Sequence, residues 1–143
     1  MTGPLVLITG ASSGIGQAMA LHYLHLGYRL ALVARRSQAI QGWLDAHAIP
    51  SGSYAIYCAD VADTAQMAGM AQACMTQQGL PDVVIANAGI SIGMDSADRN
   101  DLDVMARTFA TNNTGLAATF HAFIAPMVQR GSGQLVGIGS VAG

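Results

Sequence analysis

Gly10, Gly14 and Gly16, with Ser12 and Ser13 among them, are the residues whose types and spacing most directly suggest chemistry. They follow Leu5-Val6-Leu7-Ile8-Thr9, an apolar run without alternation that reads as a buried parallel strand. A helical pattern begins before the glycines end. A glycine loop between strand and helix leaves backbone N–H groups unpaired at the positive end of a helix dipole, and such a pocket takes a phosphate. Gly10 would turn the chain, Gly14 would let a pyrophosphate approach the backbone, and Gly16 would let the helix pack closely on its strand. Ser12 and Ser13 add hydroxyl donors, with Ile15 between the last two glycines. The order G-x-x-x-G-x-G is not a nucleoside-triphosphate loop: no Lys follows the glycines, and the chain has none.

A second chemical signal lies at Ala34-Arg35-Arg36, after the apolar strand Arg29–Ala34. A carboxylate at the end of a second strand would hold a ribose 2′-hydroxyl, whereas an arginine there pairs with a 2′-phosphate. Ala34 offers no carboxylate and two guanidinium groups follow it.

The octapeptide Thr9-Gly10-Ala11-Ser12-Ser13-Gly14-Ile15-Gly16 closely resembles the cofactor loop of the short-chain dehydrogenase/reductase family, and further signatures recur downstream in that family's order. By resemblance to members that use NADP(H), Arg35 would meet the 2′-phosphate, with Arg36 as second donor or as stacking partner for adenine. Asp60-Val61 resembles the adenine contact, the Asp side chain and Val backbone meeting the base edge. Asn87-Ala88-Gly89 resembles the mark after the central strand, Asn87 tying strands together and Gly89 lying near the cofactor ribose. Thr111-Asn112-Asn113-Thr114-Gly115 resembles N-x-x-G, whose Asn kinks a helix and holds a water in a proton relay; the offset to Gly115 selects Asn112. Ser140 matches the catalytic serine, with Gly139 in place of the serine that often precedes it. The resemblance implies NADP(H) in preference to NAD(H), and hydride transfer between nicotinamide C4 and a small carbonyl or alcohol substrate.

The elements that must position these groups alternate as strand and helix. A helix over 15–26 carries Ile15, Met19, His22 and Leu26 at helical spacing. Ser37 is placed to cap a helix through Ile40, Trp43, Leu44 and His47, Trp43 and His47 being surface or packing residues. Strand 54–59 leads to a helix capped by Asp63 that buries Met67, Met70 and Ala71. Strand 82–86 precedes a polar stretch, 91–100, expected as a mobile loop on the substrate side. A long helix starting at Asn100 or Asp101 runs to Val128, locally broken at its two asparagines, with His121 as a packing residue. Strand 134–139 closes the series. The implied fold is a Rossmann-like doubly wound parallel sheet of order 3-2-1-4-5, with helices on both faces and ligand bound at the switch between strands 1 and 4.

Composition sets the outer limits. At 143 residues the chain is one domain's worth, and 52% hydrophobic against 10% charged residues indicates a well-buried core. A net charge of −2 with no basic run gives no case for nucleic acid or for a basic membrane-surface helix. The longest apolar stretch, 116–128, is interrupted by His121 and Pro126 and too short to span a bilayer. A cytoplasmic location is the default expectation. Cys58 and Cys74 lack metal-ligand spacing and are expected as buried, reduced thiols, and no metal site is expected.

The family's Tyr and Lys, a Y-x-x-x-K helix after the serine strand, have no counterpart here. Tyr23, Tyr28, Tyr54 and Tyr57 all precede the fourth strand. The expectation is therefore a single dinucleotide-binding domain, 1–143, forming the N-terminal part of a longer oxidoreductase and inactive alone. The rival reading is a non-catalytic dinucleotide-binding sensor or assembly module. Residues 101–130 are the expected homodimer or homotetramer surface, by resemblance to members that pair this helix.

Overall fold

A computed structural model describes residues 2–12, 14–89 and 97–139 of the chain. Five strands, β1 (Leu5–Thr9), β2 (Arg29–Ala34), β3 (Tyr54–Cys58), β4 (Val83–Ala86) and β5 (Gln134–Gly137), form one sheet of order β3-β2-β1-β4-β5. Every pairing is parallel; β1, at the centre, aligns Leu7 with Ala31 of β2 and with Val84 of β4.

β1 is buried on both faces because its apolar residues face two different layers of helices. Leu5 and Leu7 join the cluster that contains Met67, Met70 and Phe123, whereas Val6 and Ile8 join the one that contains Ala20, Ile40 and Leu44. The first layer comprises α3 (Thr64–Gln77) and α5 (Gly115–Arg130), the second α1 (Gly14–His25) and α2 (Ser37–Ala46). Each fully buried Leu, Val or Ile contributes about 1.5–3 kcal/mol relative to exposure, so β1 is the strand the fold can least spare.

Local signals explain the boundaries, with some corrections. Asp63 caps α3 as expected: its Oδ1 accepts from the Gln66 backbone N–H at 3.1 Å, and its Oδ2 accepts from Gln66 Nε2 at 3.0 Å. Ser37 does not cap α2; it is the first helical residue, and Arg36 occupies the cap position without a side-chain bond. The stripe read on α1 is not its buried face. Ile15 and Leu26 are 62% and 59% exposed, and the helix instead buries Gly16 and Ala20, small residues that bring it close to the sheet.

The break in the long helix is real. A π-helical turn, Ala110–Thr114, separates α4 (Asp101–Phe109) from α5. One widened turn at two poor helix formers keeps the axis continuous while changing which side chains face the sheet. α5 ends at Gly131, whose φ of 77° is the left-handed stop that glycine adopts at least cost. Arg130 then ties this end down, donating to the Leu80 and Pro81 carbonyls. Cys74 is buried as expected, but Cys58 is exposed, because β3 is an edge strand and its last residue faces solvent. His121, expected in packing, is likewise exposed.

Candidate cofactor site

Each of the first four strands ends where the chain enters one cleft of about 860 Å³. Gly10 follows β1, Arg35 follows β2, Ala59 and Asp60 follow β3, and Asn87 follows β4, and all of them line it. The cleft lies at the carboxyl edge of the sheet, where the order reverses between β1 and β4 and the connecting helices diverge to opposite faces.

The glycines divide the work as their surroundings require. Gly10 has φ 64°, and a Cβ there would stand 2.9 Å from the backbone of Ala88. A Cβ on Gly16 would collide with the Gly10 carbonyl oxygen and lie 3.0 Å from Ala11 Cα, so Gly16 is what allows α1 to start against the loop. Gly14 is the opposite case: nothing of the described protein lies within 4 Å of its would-be Cβ, and it lines the cleft. The open space above Gly14, at the N-terminus of α1, fits a pyrophosphate held by backbone N–H groups. Ser12 and Ile15 stand exposed beside it.

Hydrogen bonds lock the loop to its neighbours. The buried Thr9 hydroxyl accepts from the backbone N–H groups of both Asn87 and Ala88, at 3.0 and 3.1 Å, and Asn87 Nδ2 donates to the Gly10 carbonyl at 3.2 Å. Asn87 thus ties the ends of β1 and β4 together, as the motif implies. Thr9 is the residue that sequence reading passed over; its place as the single polar side chain in an apolar strand was the available signal. Trp43 adds a brace that was also missed, its buried indole N–H donating to the Ala11 carbonyl at 3.0 Å across from α2.

At the end of β3, Val61 is buried and the Asp60 carboxylate accepts from the Ala62 backbone N–H at 3.0 Å. Gly115 lets α5 touch this wall: a Cβ there would sit 3.0 Å from both Val61 Cγ2 and the Val61 carbonyl oxygen. Asn112, in the π-helical turn, brings its Oδ1 to 3.1 Å from the Cβ position of Gly89. Arg35 is exposed on the cleft's rim, whereas Arg36 does not line it. Ser13, Ser140 and residues 90–96 lie outside the described residues. Among those described, no cluster of three His, Cys, Asp or Glu side chains suited to a metal occurs, and no helix is long and apolar enough to cross a membrane.

The model of the short chain dehydrogenase family matches residues 4–143. The chain belongs to that family. Among its relatives, a dehydrogenase/reductase SDR family protein 7-like of Anopheles gambiae is 33% identical over all of this chain and 46% of its own length. The NADP-dependent 3-hydroxy acid dehydrogenase YdfG of Shigella flexneri is 29% identical over 97% of this chain and 55% of its own. Among solved structures, a short-chain type dehydrogenase/reductase from Mycobacterium marinum superposes with a TM-score of 0.90 at 34% identity, covering 99% of this chain and 57% of the other. The chain spans about half the length of these short-chain dehydrogenases.

Proposed function

We propose that this chain supplies the cofactor half of an NADP(H)-dependent oxidoreductase that interconverts a small carbonyl compound and its alcohol in the cytoplasm. The observation that carries the reading is the convergence of four strand ends on a cleft whose glycine wall is open above Gly14 and whose β2 end presents Arg35 and no carboxylate. Gly10, Ser12, Ser13, Gly14, Ile15 and Gly16 form the pyrophosphate loop, Arg35 pairs with the 2′-phosphate, and Asp60 with Val61 meets the base. Asn87, Ala88 and Gly89 support the ribose. The name of the YdfG relative, NADP-dependent, agrees with this choice.

When bound, the nicotinamide supplies a hydride to a carbonyl carbon or removes one from an alcohol carbon. The protein's part is to hold the reacting carbon close and to exchange the oxygen's proton. Ser140 orients the substrate oxygen, and Asn112 holds a water in the proton path. None of the four tyrosines lines the cleft. Burial above all raises the Tyr57 hydroxyl pKa well above its usual range, the opposite of an activated proton donor. We therefore assign the proton donor to residues of the intact protein outside these 143. The exposed apolar side chains Phe109, Ile124 and Val128 on the α4–α5 run support pairing between copies of the protein there.

The test is turnover by the intact protein, read as NADPH consumption over a panel of small ketones and aldehydes. Carbonyl-dependent oxidation that falls at least tenfold in kcat in Asn112→Ala, with cofactor affinity retained, supports the assignment. Tight NADPH binding without turnover of any carbonyl or alcohol would instead support the binding-module reading.

A further inference from the structure

Arg107 is a cleft-lining guanidinium that none of the sequence motifs accounts for. It stands in the last turn of α4, and Ala110 and Thr111, one turn on, line the same cleft. The helical run that carries all three continues to Gly115, which is pressed against Val61. Arg107 therefore stands on the cleft-lining helical run that meets Val61 further along, whereas Arg35 follows β2 directly. It is exposed, and among the described residues it makes no ion pair that would hold it away from the cleft.

We propose that Arg107 is a cofactor-binding residue that covers the adenine ring from the helix side, its guanidinium plane stacked on the base whose edge meets Asp60 and Val61. The inference rests on the reading of the cleft as an NADP(H) site and assigns a residue that reading leaves idle. A planar, weakly hydrated guanidinium stacks on a π face, which an ammonium does less well. Stacking on the base is shared by NADPH and NADH, whereas an arginine that pairs with the 2′-phosphate favours NADPH alone. A diffuse attraction would also distinguish them, because NADPH carries the larger negative charge.

Calorimetric titration of the intact protein with NADPH and with NADH separates these cases. Arg107→Ala is expected to weaken both cofactors by the same factor, about three- to tenfold, and Arg107→Lys to recover little of the loss. Arg35→Ala, titrated in parallel, is expected to weaken NADPH alone. Thermal melting checks that Arg107→Ala, a change at an exposed position, leaves the fold intact. A loss confined to NADPH, full recovery by Lys, or unchanged affinity in Arg107→Ala would each overturn the assignment while leaving the cofactor reading in place. Failure of the unaltered protein to bind either nucleotide would overturn both.

Discussion

The Thr9 hydroxyl accepts two backbone N–H groups where β1 hands over to the glycine loop, and no water reaches it because Thr9 is fully buried. Thr9→Val keeps the shape and leaves those donors unpaired, so chemical denaturation should show a loss of about 2–4 kcal/mol. Thr9→Ser should retain most of the stability. The two later glycines should separate cleanly. Gly16→Ala puts a methyl against the Gly10 carbonyl and should be recovered poorly folded. Gly14→Ala meets nothing in the described protein and should melt within a few degrees of the parent, while weakening NADPH binding about tenfold or more because its methyl enters the phosphate space. Equal behaviour of the two variants would contradict the division of roles. At this scale the sequence was legible for Gly10, Gly16 and Asn87, whose types the local geometry requires. It gave neither the Trp43–Ala11 hydrogen bond nor the place of Arg107 on the cleft, because both depend on where α2 and α4 bring distant residues.

Elements carry the next set of effects. Gly115→Ala would drive a Cβ into Val61 and push α5 and its π-helical turn away from the loop after β3. Overpacking of this kind costs about 1–3 kcal/mol, and equilibrium unfolding together with NADPH titration should show lost stability and lost affinity in the same variant. α3 sets a pH limit. Burial pushes the Cys74 thiol from its ordinary 9.0 up to about 11, although the neighbouring Tyr57 hydroxyl and the Arg29 charge pull the other way. A thiol harder to ionise when folded contributes stability that is complete below pH 9 and is lost as pH rises towards 11, because the unfolded chain releases its proton first. Unfolding free energy should therefore fall over that interval. Cys74→Ala, less stable at neutral pH, should show a shallower fall; an unchanged slope would place its origin elsewhere, Tyr57 being the other raised group among the described residues. Element positions were readable from periodicity and caps such as Asp63. The buried face of α1 was not, since it is made of Gly16 and Ala20, which carry little hydropathy signal.

For the whole molecule, strand order followed from alternating strand and helix signals together with the motif order, because parallel crossovers of one hand leave few ways to wind such a chain. The same winding gathers Gly10, Arg35, Asp60 and Asn87 at one edge although up to 77 residues separate them in hydrogen-bonded contact. Along the lateral margin of the sheet beside β4, β5 is the least covered strand, with Leu135 39% exposed, so the sheet is much better buried at its centre than at this edge.

A dinucleotide held in this cleft with its 2′-phosphate on Arg35 is the premise from which the other roles follow. The most direct measurement is calorimetric titration of the intact protein and its Arg35→Ala variant with NADPH and NADH. The parent should bind NADPH more tightly than NADH, and the variant should lose about ten- to a hundredfold for NADPH with NADH nearly unchanged. Equal affinity for the two cofactors before and after the substitution, or no binding of either, would contradict it.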